Sequence, residues 1–139
     1  MAGGYQGRIL RVDLTRSKIH VKRLNKEFLK EFIGGYGTAA RVLYDEVPPW
    51  VSPFDPENLL IFSTGPLTGT LVPASSRYTV VAKSPLTGYF GDSNAGGSFG
   101  PMLKRAGYDM IVIRGRAREP SILVIDEENV SIEKAGDLW

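Results

Sequence analysis

Glycine-rich turns constrain this chain more than any other feature. It has 16 glycines among 139 residues, where an average protein would have roughly 7%. Many of them lie in clusters, at 34–37 and 91–100, between short apolar segments. Glycine tolerates left-handed backbone and close backbone approach. The clusters therefore predict tight turns between short elements, and these turns hold most of the functional information.

The segments between the glycines predict an α+β fold. Apolar residues nearly alternate in 7–14 and clearly alternate in 18–22, a pattern that predicts a β-hairpin with His20 on its solvent face. Helices are predicted over 26–33, 38–46 and 98–106, with Asn25 capping the first and Gly107 ending the third. Because strands and helices do not alternate regularly, a doubly wound parallel sheet is disfavoured. Further strands are predicted at 59–62, 77–83, 110–114, 121–125 and 130–133.

Composition excludes several classes of protein. The formal net charge of +2 is too small to suggest nucleic acid or a membrane surface as partner. No apolar run reaches the roughly 18 residues of a membrane span, and no signal pattern opens the chain. We therefore expect one soluble cytoplasmic domain. With no cysteine and one histidine, the chain has no disulfide, thiolate-bound metal or thiol nucleophile.

Residues 93–100 are the best local candidate for a binding site. A glycine-rich turn that leads into a helix can present backbone N–H groups to a phosphate. The spacing matches neither the P-loop nor the dinucleotide-binding fingerprint, so a purely structural turn is the alternative. Residues 34–37 could likewise approach a ligand or form a hinge between helices. Arg77 could contact an anion or a heterocycle, or form a surface ion pair.

Two other patterns carry less information. Pro-Leu-Thr-Gly occurs at 66–69 and again at 85–88. The copies are either two similar turns or two turns that shape one ligand surface. The acidic residues 126–128 are typical of a solvated turn, and no nucleophile, base and orienting group occur together. The residues alone thus indicate an α+β domain with a glycine-lined anion site and no catalytic residue.

Several motifs in order give the chain a family resemblance. From about residue 4 to 139 it resembles the N-terminal domain of the tungsten-containing aldehyde:ferredoxin oxidoreductases. The resemblance implies a cradle-like α+β domain of two similar halves under a tungsten bis-pterin cofactor, of which 1–139 would be one half and part of the second. The motifs are 7–14, Gly-Pro-Leu-Thr-Gly-Thr at 65–70, Arg-Tyr at 77–78, Lys-Ser-Pro-Leu-Thr-Gly at 83–88, Asn-Ala-Gly-Gly-Ser-Phe-Gly at 94–100 and Lys-Arg-Ala-Gly-Tyr-Asp at 104–109.

The resemblance also implies the site residues. Arg77 would contact a pterin, and Asn94 would lie near a magnesium ion that joins the pterin phosphates. Ala95, Gly96 and Gly97 would complete the cofactor contacts with backbone groups. A side chain at Gly96 would then block this approach and strain a positive φ.

Family members are several times longer, and their 4Fe-4S cysteines and catalytic residues lie in later domains. This chain without cysteine cannot ligate that cluster. It is expected to be a truncated domain or one subunit of a split enzyme, inactive by itself. The complete enzyme would oxidise an aldehyde to a carboxylic acid and pass electrons to ferredoxin, as a homo-oligomer. A non-catalytic pterin-binding or assembly module is the alternative, followed by a phosphate-binding domain unrelated to redox chemistry.

Overall fold

The computed structural model describes residues 3–138, and they form an α+β fold with two sheets. The helices are α1 (Lys26–Phe32), α2 (Tyr36–Glu46) and α3 (Phe99–Arg105), with a 3-10 turn at Gly136–Leu138. The strands are β1 (Arg8–Asp13), β2 (Lys18–Arg23), β3 (Leu60–Thr64), β4 (Tyr78–Lys83), β5 (Phe90–Ala95), β6 (Met110–Arg114), β7 (Ser121–Asp126) and β8 (Asn129–Lys134). The predicted α+β class is confirmed.

The larger sheet is mixed, and its strand order is β2-β1-β6-β3-β4-β5. β1 and β2 form the predicted antiparallel hairpin, with His20 exposed. β6 lies between β1 and β3, parallel to β1 and antiparallel to β3. It pairs Met110 with Ile9, so segments that are distant in the sequence are neighbours in the middle of the sheet. β7 and β8 form a separate two-stranded sheet.

Apolar side chains cover both faces of the larger sheet. Successive residues of β1 and β6 alternate between two cores, so Ile9 packs with the α2 side and Leu10 with the α3 side. On the α2 side, the helix contributes Ala39 and Val42 to the core. On the other side, Leu103 of α3 packs in the same cluster as the apolar face of the β7–β8 hairpin. Burial of this kind is the main contribution to folding stability.

Helix ends follow the predicted signals with one difference. Asn25 caps α1 by accepting a hydrogen bond from the Phe28 N–H (2.7 Å), and Gly107 ends α3 with a φ of 89°. α2 begins at Tyr36, two residues earlier than predicted, and includes Gly37. A Cβ at Gly37 would lie 2.3 Å from the Phe32 carbonyl oxygen, so this glycine permits close packing inside a helix.

The prediction of tight turns in the glycine cluster at 91–100 is wrong for its first part. Residues 90–95 form β5, the edge strand of the larger sheet, paired in antiparallel register with β4. The segment is polar and contains glycine, so its composition does not indicate a strand. Pairing with β4 nevertheless satisfies its inward-facing backbone groups, which overrides the weak local preference. Only residues 96–98 remain as the loop before α3.

Among the helices described in residues 3–138, α2 is the longest with 11 residues, and none has the length and apolar character that a membrane span requires.

Exposed aromatic side chains give the first testable prediction. Tyr44 and Trp50 are each 83% exposed and Tyr89 is 79% exposed. Tyr44 and Tyr89 line an apolar groove of about 640 Å³ between α2 and the β4–β5 turn. Because apolar patches of this kind favour association, the 139-residue chain is expected to self-associate as its concentration rises. Light scattering measures this, and a strict monomer at millimolar concentration would contradict it. Tyr44→Ser with Tyr89→Ser should reduce the association.

Candidate functional site

Pairing of β4 with β5 brings the predicted site residues to one corner of the sheet. Arg77 directly precedes β4, and Asn94 and Ala95 end β5. Tyr78 is paired with Ala95, so Arg77 lies one step further along, beside Gly96. We call Arg77 together with residues 94–97 the β4–β5 corner. All five residues are exposed.

The backbone of Asn94 faces out of the sheet. The Ser84 N–H donates to the Tyr89 carbonyl (2.7 Å), which identifies this cross-strand pair as hydrogen-bonded. Bonded and non-bonded pairs alternate along an antiparallel ladder. Asn94 lies an odd number of residues beyond Tyr89 in the same register, so its N–H and C=O point away from β4. β5 is the edge strand, and these groups are therefore available to a ligand.

A hydrogen bond and close packing hold the backbone of Arg77 in place. Thr68, which is buried, donates from Oγ1 to the Arg77 carbonyl (2.9 Å) and accepts from the Gly65 N–H (3.1 Å). Gly100, in the first turn of α3, packs against the same stretch. A Cβ there would lie 2.9 Å from the Ser76 carbonyl oxygen and 3.0 Å from Thr68 Cγ2. α3 and the turn after β3 thus hold the corner in place.

The Arg77 guanidinium is uncommitted within residues 3–138. It forms no ion pair with any carboxylate there and donates no hydrogen bond. The alternative of a surface ion pair is therefore not observed in this part of the chain. A fixed backbone with a free, always charged planar donor suits an anion or a ring with acceptor atoms.

The two loop glycines have different roles. Gly97 has a φ of 83°, which favours glycine, and a Cβ at this position would meet no atom within 4 Å. Gly96 does not lie in the left-handed region, so the expected strain at Gly96 is wrong and belongs to Gly97 instead. A Cβ at Gly96 would meet only Ser76 Oγ, at 3.7 Å. The space beside both glycines is thus open to a ligand.

Aromatic rings hold α3 to the sheet beside the corner. Phe99 opens α3, and its ring centroid lies 4.6 Å from that of Tyr78 and 5.6 Å from that of Phe62. Contacts of this kind contribute about 0.5–1.5 kcal/mol per pair beyond area burial. They fix where the loop of residues 96–98 enters the helix.

A buried ion pair anchors the N-terminal segment (residues 4–7) to α3 and to the residue before β6. Lys104 and Asp109 are 5% and 4% exposed and form a direct salt bridge. Asp109 also accepts from the backbone N–H groups of Gln6 (3.1 Å) and Gly7 (2.5 Å). Lys104 donates to the Gly4 carbonyl (2.7 Å). Each charge is therefore paired and hydrogen-bonded, as a buried ion requires.

Tyr5 connects the N-terminal segment to the end of α1. Its hydroxyl donates to the Ile33 carbonyl (2.6 Å), and its ring lies 5.7 Å from Lys104 Nζ. Burial, and secondarily the negative charge of Asp109, raises the pKa of the Tyr5 hydroxyl above its usual value. The hydroxyl therefore remains a hydrogen-bond donor at neutral pH.

The other glycine cluster and the repeated turn motif have structural roles. Residues 34–35 connect α1 to α2, and the Gly35 N–H donates to the Thr64 carbonyl (2.9 Å). A Cβ at Gly34 would lie 3.0 Å from that same oxygen, so close packing on β3 requires this glycine. The two Pro-Leu-Thr-Gly turns lie at opposite ends of β4: the first holds Arg77, and the second joins β4 to β5. They do not shape one surface.

The chemistry of the corner suits an anionic ligand with hydrogen-bonding groups. It offers a guanidinium, an amide side chain, outward backbone groups and open space at a glycine. No group of three or more His, Cys, Asp or Glu within residues 3–138 could hold a metal ion. A metal at this corner would therefore need most of its ligands from another source.

Sequence reasoning missed the residues that support the corner. Thr68, Thr79 and the Lys104–Asp109 pair are buried and polar, and none has a sequence spacing that predicts its partner. Thr68 lies in the repeated turn motif, and Lys104 and Asp109 lie in the family motif at 104–109, but neither motif identifies the hydrogen-bond partners. Thr79 is bonded to a residue of the neighbouring strand, and Asp109 accepts from Gln6, which lies 103 residues away in the sequence.

Comparisons with known proteins agree with this fold. Residues 9–139 match the family model described as aldehyde ferredoxin oxidoreductase, N-terminal domain. The chain is 51% identical over 136 residues to the tungsten-containing aldehyde ferredoxin oxidoreductase of Pyrococcus abyssi, and 48% identical to that of Pyrococcus horikoshii. Each alignment covers 98% of this chain and 22% of the relative, so the chain spans about a fifth of their length.

A solved structure has the same fold as this chain. The chain superposes on part of the active-site complex BamBC of benzoyl coenzyme A reductase, in complex with 1,5-dienoyl-CoA, with a TM-score of 0.97 and 41% identity. The match covers 99% of this chain and 21% of that one. The chain therefore belongs to the family of aldehyde ferredoxin oxidoreductase N-terminal domains.

Proposed function

We propose that this chain holds the pterin part of a tungsten cofactor, as the N-terminal portion of an aldehyde:ferredoxin oxidoreductase. The observation that carries the proposal is the β4–β5 corner. An uncommitted guanidinium, outward backbone groups and an open glycine loop meet there on a supported backbone. The names of the curated relatives supply the tungsten and the aldehyde.

The residues of the corner fit this ligand. Arg77 would donate to acceptor atoms of the pterin or its phosphate, and Ala95, Gly96 and Gly97 would offer backbone rather than side chains. The outward carbonyl oxygen of Asn94 is the group available to a magnesium ion. Magnesium in phosphate sites takes few protein ligands and completes its shell with phosphate oxygens and water. That preference agrees with a corner that has no carboxylate cluster.

When bound, the tungsten centre would supply the redox chemistry that converts an aldehyde and water to a carboxylic acid with release of two electrons and two protons. The residues of this chain bind and orient the cofactor and neutralise its negative charge. The chain has no cysteine, so a 4Fe-4S cluster that passes electrons to ferredoxin takes its cysteines from elsewhere. We place the enzyme in the cytoplasm as a homo-oligomer.

The reaction is a separate question from cofactor binding. The solved structure with 41% identity belongs to a reductase, so the same domain occurs in an enzyme with a different reaction. This favours a cofactor-holding role that does not itself select the substrate. A non-catalytic pterin-binding or assembly module is the alternative function, and aldehyde-dependent reduction of ferredoxin by the purified assembly distinguishes the two.

Metal and pterin analysis tests the proposal. The chain is purified natively with whatever protein accompanies it, and its tungsten, molybdenum, magnesium and phosphate are measured. Oxidation then releases the pterin for fluorescence. We expect tungsten, two pterins for each tungsten, and magnesium. A preparation that retains no pterin contradicts the proposal, and molybdenum in place of tungsten would correct the metal.

Substitution of Arg77 is expected to cause a graded loss of bound tungsten in the assembled enzyme. Arg77→Lys keeps the charge but loses the planar donor, and Arg77→Ala loses both. Unpaired buried acceptors on the cofactor cost about 1–3 kcal/mol each, so tungsten content should fall from wild type to lysine to alanine. Thermal unfolding should change little, because the guanidinium has no partner within residues 3–138. Equal tungsten in all three proteins would show that Arg77 does not contact the cofactor.

A further inference from the structure

We propose that Thr79 is the positioning residue for Asn94, and that it fixes the Asn94 side chain toward the cofactor. This inference rests on the proposed function of the β4–β5 corner. Thr79 faces Asn94 directly across the β4–β5 pair. Its Oγ1 donates a hydrogen bond to Asn94 Oδ1 at 2.9 Å. Thr79 is 5% exposed, whereas Asn94 is exposed on the edge strand.

The register explains why these two side chains meet. Asn94 belongs to a non-hydrogen-bonded pair, as its alternation with Tyr89 requires. In such pairs the Cα atoms approach to about 4.5 Å, closer than in the bonded pairs. The side chains of Thr79 and Asn94 therefore lie within direct reach. The same geometry that turns the Asn94 backbone outward brings its side chain onto Thr79.

The bond has a consequence for the Asn94 amide. The side chain has no strand beyond it at this edge, and Thr79 is its one side-chain partner within residues 3–138. With Oδ1 bonded to Thr79, the two N–H groups of Nδ2 have no hydrogen-bond partner within residues 3–138 and are available to a ligand. The corner thus presents N–H donors and a carbonyl oxygen in a fixed arrangement, before any ligand arrives. A group ordered in advance does not lose rotamer freedom on binding.

A second buried threonine, Thr38, provides a control. Thr38 Oγ1 and Ser63 Oγ lie 3.0 Å apart in the buried region between α2 and β3. Thr38→Val removes a buried threonine hydroxyl, as Thr79→Val does, but Thr38 does not touch Asn94. Both substitutions keep a β-branched side chain of nearly the same volume. Thr38→Val also leaves the buried Ser63 hydroxyl without this partner, so a general effect of losing a buried hydroxyl should be at least as large in Thr38→Val as in Thr79→Val.

The first measurement needs no cofactor and uses the 139-residue chain. Side-chain couplings and amide resonances from NMR report the rotamers of Asn94. We expect one χ1 rotamer in the wild type and in Thr79→Ser, averaged rotamers in Thr79→Val, and one rotamer in Thr38→Val. A single Asn94 rotamer in Thr79→Val overturns the inference, whatever the cofactor content of the enzyme.

The second measurement is the tungsten and pterin content of the assembled holoenzyme after dialysis against a magnesium chelator. Loss of a residue that orients a ligand typically weakens metal binding by 10–100-fold. We expect Thr79→Val to lose cofactor at chelator concentrations about tenfold lower than the wild type, with recovery in Thr79→Ser and no change in Thr38→Val. Equal retention in Thr79→Val overturns the inference. Absence of pterin from the wild type overturns the proposed function, while the NMR result still decides whether Thr79 holds Asn94.

Discussion

Asp109→Ala is expected to lower the free energy of unfolding of this chain by about 3–5 kcal/mol, because it leaves the buried Lys104 ammonium without a counter-ion. The backbone N–H groups of Gln6 and Gly7 lose their acceptor in the same variant. Urea denaturation of the 139-residue chain measures the change. The N-terminal segment should detach from α3, which increased amide exchange at residues 4–7 would report.

Two controls separate burial from charge in this experiment. Asp45→Ala removes an exposed i,i+4 ion pair with Arg41 and should cost no more than about 0.5 kcal/mol. The double variant Lys104→Met with Asp109→Asn removes both charges and keeps an acceptor for the backbone. It should be more stable than Asp109→Ala, because no buried charge remains unpaired. A loss below about 1 kcal/mol in Asp109→Ala would show that the anchor does not stabilise the fold.

Gly96→Val is expected to abolish cofactor retention in the assembled enzyme while leaving the chain folded. A Cβ at this position meets only Ser76 Oγ at 3.7 Å and the backbone is not left-handed, so the chain itself accommodates a side chain. A cofactor that lies against the backbone of Gly96 would meet the branched side chain. Tungsten and pterin content measures the first effect, and thermal unfolding of the 139-residue chain measures the second.

Alanine substitutions at Gly97 and Gly96 serve as comparisons for this test. Gly97→Ala adds a methyl group in open space but forces alanine to a φ of 83°, which should cost roughly 1 kcal/mol in stability. Gly96→Ala should fall between wild type and valine in cofactor content. If Gly96→Val retains its tungsten and pterin, the cofactor does not lie against this loop, and the corner must bind through Arg77 and Asn94 alone.

Local patterns predicted most elements of the fold, but they did not predict the strand order. Alternation in 7–14 and 18–22 predicted the first hairpin, and Asn25 predicted the start of α1. The insertion of β6 between β1 and β3 depends on contacts between distant parts of the sequence. β5 was missed because its sequence is polar, and its strand conformation depends on β4.

The residues of the candidate site were predicted from a family resemblance, and their physical support was not predicted. The pattern at 94–100 alone indicated only a glycine-lined anion site. Whether Arg77 and Gly96 are neighbours depends on the β4–β5 register, which spacing does not determine. The hydroxyl of Thr68 was unpredictable for the same reason, because its partner is a backbone carbonyl of another segment.

The parallel pairing of β1 with β6 affects how the chain acquires its fold. Met110 must pair with Ile9 across a long stretch of the sequence before β6 can take its place between β1 and β3. Contacts between residues so far apart in the sequence slow folding, because the entropy of closing the loop is lost before the contacts stabilise the chain. The β4–β5 hairpin closes locally and can form first. During synthesis, β1 and β3 therefore lack the strand that lies between them until β6 leaves the ribosome. Chaperone binding during that interval would protect the unpaired edges of β1 and β3.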